Sequence, residues 1–206
     1  SVKFNHVWED KPVMMPLPQT EELLWYSERS GFGHLYLYDL KSGKLKNKIT
    51  EGDWVVRTIV EYDATRREVF VQTAGRDKKK DPYYRDLVRI NIDTGQMVAL
   101  ANSNHDIDAY SQQSVTTTDW GGFKTQGVSR TGNYAVVTKS RVNTIPLSYL
   151  VDRDGRKVMD LERADISRLP EGFRWPEPIK TLAADGKTNI YGVIYRPSDF
   201  SPDKSY

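Results

Sequence analysis

The chain has 206 residues, enough for one large or two small domains with a real core. Lys and Arg number 30 and Asp and Glu 28, and this near balance, +2 net, gives no electrostatic case for nucleic acid or an anionic membrane surface. The absence of cysteine removes disulfides, thiolate metal sites and a cysteine nucleophile together, and no apolar run approaches the ~20 residues of a membrane helix.

Ser1–Val2–Lys3 lacks the charged-then-apolar opening of a signal peptide, so any targeting segment is expected outside these residues. Aromatic residues make up 11% of the chain, Tyr leads them with 12, and helical periodicity is scarce. An all-β fold is the expectation.

Taken in order, the chain repeats one unit three times. The first runs "VMMPLP", a turn at Gln19–Glu22, "LLWYSER", a glycine-flanked loop, "HLYLYDL", a turn closed by Gly43, and "KLKNKIT". In the second, "RTIVEY", a turn at Asp63–Arg67 and "EVFVQTA" precede "LVRINIDTGQMVAL", whose turn carries Asp93 and Gly95. The third has "TQGVS", a turn at Arg130–Asn133, "YAVVTKS" and "SYLVDRDGRKVMDL" with Asp154 and Gly155. Aspartate bonds its own backbone in a turn and glycine accepts positive φ, so each Asp–Gly pair marks a hairpin. Each unit reads as four antiparallel strands in a meander. Repeated four-stranded units of about 40–50 residues are the signature of a β-propeller.

The "HLYLYDL" stretch fits that reading. Leu35 and Leu37 point one way, His34, Tyr36 and Tyr38 the other. A blade sandwiched between neighbours is apolar or aromatic on both faces. Three blades do not close a ring of four to eight, so open faces and self-association are expected, and the chain reads as a piece of a longer protein.

Outside the repeat, residues 101–125 form a polar excursion. Its His105, Asp106 and Asp108 are weighed as a metal site, with turn chemistry the stronger explanation. The basic loop "GRDKKKDPYYRD" (75–86) reads as a solvated tip in which Tyr83 and Tyr84 pack or meet a partner. "DLERADISRLPEGF" is expected to supply a helical turn ended by Pro170, docking Leu161, Ile166 and Leu169 on the propeller. Behind Pro176 and Pro178, "IKTLAA", an Asp185–Gly186 turn and "NIYGVIYRP" make a fresh hairpin. The expected organisation is a partial propeller over 1–160, a linker over 161–178 and the start of a second, truncated domain over 179–206.

Catalytic chemistry is hard to place. The G-x-S-x-G elbow of serine hydrolases is approached only by "GVSRTG" around Ser129, one residue too long and within a blade turn. His6, His34 and His105 lack ligand spacing, and no Walker loop or GxGxxG is present. Glu21–Glu22, Asp160/Glu162 and Glu177 each have a turn or surface explanation. No catalytic residue, metal or cofactor is assigned.

"LLWYSERSGFGHLYLYDLKSGKLKNKITEGDWVV" resembles the W-x-SERdG-x-x-HLYLYD…LT-x-GdWeV segment of the dipeptidyl peptidase IV-like branch of the prolyl oligopeptidase family. "PEPIKTLAADGKTNIYGVIYRPSDFSPDKSY" is similar to that family's crossing from propeller to α/β-hydrolase domain. The resemblance implies the later blades of an eight-bladed propeller and the first hydrolase strands. It further implies a serine exopeptidase that releases N-terminal dipeptides with Pro or Ala second, acting through a Ser–Asp–His triad outside these residues. This piece would then shape and gate the cavity for a peptide substrate without hydrolysing peptides itself. "HVWED" lies where the family sends a loop towards the substrate, which makes Trp8 and Glu9 the candidate substrate-binding residues. Family habit places bacterial members in the periplasm or cell envelope. The alternative is a non-catalytic propeller that binds protein partners.

Overall fold

The computed structural model describes residues 14–109 and 127–204. Its strands form three four-stranded antiparallel sheets and one separate hairpin. Blade one contains β1 (Met14–Leu17), β2 (Glu22–Ser27), β3 (His34–Asp39) and β4 (Leu45–Lys48). Blade two contains β5 (Val55–Asp63), β6 (Glu68–Ala74), β7 (Arg85–Asn91) and β8 (Met97–Ala101). Blade three contains β9 (Asp106–Asp108), β10 (Tyr134–Arg141), β11 (Thr144–Asp152) and β12 (Lys157–Arg163). The hairpin is β13 (Glu177–Leu182) with β14 (Asn189–Ile194). Within every blade, neighbours in sequence are neighbours in the sheet, the meander expected from the repeat.

The blades stack face to face around two apolar layers. Leu24, Leu35, Leu37 and Ile49 of blade one meet Val56, Val69, Val71, Val88 and Ile90 of blade two. The other face of blade two presents Phe70, Leu87 and Leu100 to Ile107, Ala135, Val137 and Val151 of blade three. The period of two makes this possible, since alternate residues of β6 and β7 feed opposite layers. All seven residues of β6 are buried, as a strand covered on both faces requires.

The turns follow the sequence chemistry. Gly43, Gly95 and Gly155 adopt φ of 68°, 72° and 82°. Gly155 has a second constraint, because a Cβ there would lie 2.5 Å from the Ala99 carbonyl oxygen of the preceding blade. Only glycine lets the two backbones approach so closely.

Two expectations are corrected. The inner strand of blade three is not a single run at 125–129. Asp106–Asp108 pairs with Thr138–Ser140 at one end of β10, while Val128 bridges Ala135 near the other. The supposed excursion therefore contains a strand, anchored by the fully buried Ile107. The segment after β11 also forms no helical turn. Residues 161–163 continue β12, 166–169 close a turn through Leu169 N–H and the Ile166 carbonyl, and Leu161, Ile166 and Leu169 are exposed. Lys157–Arg163 alternates well enough to extend the sheet, and Pro170 permits a turn as readily as a helix end.

The β13–β14 hairpin forms with the expected Asp185–Gly186 turn. Asp185 accepts hydrogen bonds from the N–H groups of Lys187 and Thr188, both at 2.8 Å. The Thr188 hydroxyl contributes most, and with these N–H groups it holds the Asp185 pKa at about 2.

Candidate functional surface at the blade ends

A meander places its first and third turns at one end of a blade, and its middle loop and exit at the other. Turns 18–21, 64–67 and 130–133, with 40–44, 92–96 and 153–156, make the turn end. Loops 28–33, 75–84 and 142–143, with connectors 49–54 and 102–105, make the loop end.

The turn end carries a repeated ionic device. Glu22 and Glu68 occupy the same place, the first residue of the second strand, and both are buried. Glu22 accepts from Lys46 of its own blade and is paired at 2.8 Å with Arg67 of the next, which also forks onto Asp93 at 2.6 and 2.7 Å. Glu68 accepts from Arg89 of its own blade and from Arg153 of the next at 2.6 Å. Burial alone would raise the Glu22 carboxyl, but hydrogen bonds from Arg67, Lys46 and Thr20 outweigh it and hold it at about 2. The turn or surface role expected of Glu22 is therefore an inter-blade ion pair. The signal for it was the acid shared by "EELL" and "REVF", directly after a turn.

The loop end is built around two polar centres, one buried and one half-buried. His34 Nδ1 lies 3.0 Å from Thr50 Oγ1 and Nε2 lies 2.8 Å from the Gly52 carbonyl. Thr50 Oγ1 also accepts the Leu35 N–H, so its hydroxyl proton is left for Nδ1 and the ring proton sits on Nε2. Burial pushes the His34 pKa down, and an edge-on contact with Trp54 at 5.0 Å completes the packing. His34 thus pins the connector from blade one to blade two.

The second centre is Arg85, which clamps β9. Its guanidinium bonds Asp106 at 2.6 and 3.0 Å and pairs with Asp108 at 3.0 Å, while Gln72 donates to the Ile107 carbonyl. The Asp106 hydrogen bonds raise the Arg85 pKa further. Both aspartates weighed as metal ligands are engaged by arginine, and no metal-ligand cluster occurs among the described residues. His105 contacts Ser103 Oγ at 3.3 Å. Burial, then Lys139, Arg141 and Lys80, lower its pKa.

The basic loop is tied down. Lys78 donates to the Asp53 carbonyl, Lys80 pairs with Asp86 at 2.5 Å, and the Tyr84 ring lies 5.8 Å below the Arg141 guanidinium. Tyr83 meets Tyr191 of the C-terminal hairpin edge-on at 6.3 Å, which joins the loop end to the segment after the blades. On blade one, Arg29 stacks 4.3 Å over Tyr36, so this buried ring is covered by its own loop on the face away from blade two.

Ser129 is a turn residue, its Oγ accepting the N–H groups of Asn133 and Tyr134 at 3.2 and 3.1 Å. Trp8 and Glu9, the candidate substrate contacts, lie outside the described residues. The described side chains bring no nucleophile together with a base and an orienting acid. They build interfaces.

Stacked four-stranded meanders locked by inter-blade ion pairs define an arc of a β-propeller domain. The family model for the dipeptidyl peptidase IV (DPP IV) N-terminal region matches residues 3–146, and the chain belongs to that family. Among solved structures it is similar to a candidate dipeptidyl aminopeptidase IV from Bacteroides ovatus, with a TM-score of 0.67 and 19% identity. The match covers 94% of this chain but only 27% of that one.

Proposed function

We propose that this chain is the propeller portion of a DPP IV-like serine exopeptidase that releases N-terminal dipeptides with Pro or Ala in second place. Its part is to shape and gate the cavity through which short peptides reach a Ser–Asp–His triad carried outside residues 1–206. The family match over residues 3–146 carries this reading. The stack of blades supports it, as does the Tyr83–Tyr191 contact, which lies on the segment leading out of the propeller.

Within this proposal, residues 179–206 open the α/β-hydrolase domain, and Trp8 and Glu9 touch the bound peptide. The open faces of blades one and three take the remaining blades or, in isolation, a second copy. The parent acts in the periplasm or cell envelope.

The test is release of a chromophore from Gly-Pro and Ala-Pro anilides. The parent protein is expected to turn both over and the 206-residue chain neither. A parent that is folded but inert towards both, while capturing protein ligands, would move the assignment to a non-catalytic binding propeller.

A further inference from the structure

We propose that the open face of blade one receives a partner sheet that sets a lysine or arginine against Glu21, reversing the polarity of the lock between blades one and two. This rests on the reading of that face as a blade interface and is independent of the peptidase assignment.

Glu21 and Arg67 hold the same place in their blades. Each adopts a left-handed φ, 52° and 54°. Each carbonyl accepts an N–H from the second turn, that of Leu40 at 2.8 Å and of Ile92 at 3.0 Å. Those turns open on Asp39 and Asn91, whose carbonyls accept the N–H groups of Gly43 and Gly95, both at 2.9 Å, so Lys41 and Asp93 are equivalent too. The pairs between them are inverted: Arg67 forks onto Asp93, whereas Glu21 pairs with Lys41 at 2.5 Å. Arg67 is half-buried because it also reaches back to the buried Glu22 of blade one; Glu21 is exposed in the position that would reach back to a preceding layer. Blade two presents a base to its neighbour, and blade one presents an acid.

The rest of the face differs in the same register. Where blade two offers Val69, Val71, Val88 and Ile90 to blade one, blade one offers Leu23, Trp25, Tyr36 and Tyr38 on its far side. These side chains supply the apolar area of the contact, and Glu21 sets its polarity. A partner carrying its own acid there would bring two carboxylates together, while a base closes the lock. A second copy of the chain is the poorer occupant. Its forward face belongs to blade three, where the exposed Tyr134 opens the second strand in the position of Glu22 and Glu68. Tyr134 pairs with Asp152 across the sheet as Glu22 does with Asp39 and Glu68 with Asn91. It brings Glu21 no positive charge.

That mismatch allows a test on the 206-residue chain itself, by sedimentation equilibrium at low ionic strength. Tyr134→Arg gives blade three the missing base. It is expected to associate head to tail at least about tenfold more tightly than Tyr134→Glu, with the unsubstituted chain between them. Glu21→Arg combined with Lys41→Glu copies the Arg67–Asp93 pair, so the turn keeps an internal salt bridge. In that background the order of the two Tyr134 variants should reverse, which places the contact at Glu21. Equal association of Tyr134→Arg and Tyr134→Glu, an order that does not reverse, or an unsubstituted chain as tight as Tyr134→Arg overturns the proposal. None of these outcomes bears on peptidase activity, which the anilide assay decides separately.

Discussion

Strands β6 and β13 both belong to aspartate-turned hairpins, yet β6, rich in Val, Phe and Thr, is buried throughout and β13, which carries Pro178 and Lys180, is exposed throughout. β13 pairs with β14 without a register shift and β6 pairs with β5 across two shifts, yet both hairpins are closed by an aspartate that bonds its own turn. Hairpin chemistry therefore suffices to set a strand pair, and what covers the pair is a separate question. In the blades the answer is the next blade; in β13–β14 the apolar side chains Ile179, Leu182, Ile190 and Val193 remain exposed.

That contrast breaks most visibly at Phe70, in the layer between blades two and three. Phe70→Ala is expected to cost about 3–5 kcal/mol by the cavity it leaves, read as a drop in the denaturation midpoint. A cost under 1 kcal/mol would mean that the layer is loosely packed.

Glu68→Gln comes next. It removes the carboxylate that Arg89 and Arg153 share across an interface, and breaking one partner of a buried pair costs about 3 kcal/mol. The equivalent pair at Glu22 adds a pH signature. Its carboxyl is held at about 2 against an ordinary 4.5, so the unfolded chain takes up more protons between those values. Stability from this pair is full above pH 4.5 and is lost as the pH falls towards 2, a slope that Glu22→Gln should remove.

Glycine substitutions sharpen the comparison further. Both Gly43→Ala and Gly155→Ala meet the backbone cost of positive φ, about 1 kcal/mol. Gly155→Ala also drives a methyl into the Ala99 carbonyl, whereas nothing lies within 4 Å of a Cβ at Gly43. The difference between the two variants should isolate the contact between blades.

His34 gives a shallower pH effect with the same sign. Its folded pKa is depressed, so the neutral ring stabilises the fold above about 6.5 and that contribution fades as the pH falls below it. A His34→Gln variant should lose this dependence, followed by chemical denaturation at several pH values. The smallest effect belongs to the exposed hairpin, where Leu182→Ala or Ile190→Ala should stay within about 0.5 kcal/mol.

The repeat was readable because its signals are local. An aspartate one to four residues before a glycine carries its turn with it, and alternation along "HLYLYDL" declares a strand. Strand β9 was not readable, since three residues with two aspartates show no periodicity until Arg85 supplies the charge that lets them pair. The Glu22–Arg67 and Glu68–Arg153 pairs join residues far apart in sequence, so only their acidic halves left a trace. Of the candidate site, Trp8 and Glu9 lie outside the described residues.

The divided inner strand of blade three has a kinetic meaning. Strand β10 can zip onto β11 at once through the two-residue loop at 142–143, a local event. Its other edge is completed only when Asp106–Asp108 and Val128, separated by a long stretch of chain, have both come back to it. The entropy of closing that detour comes before the contacts that repay it. The inner edge of blade three therefore carries a loop-closure cost that its own local hairpin does not, and the Arg85 clamp on Asp106 and Asp108 offsets part of it.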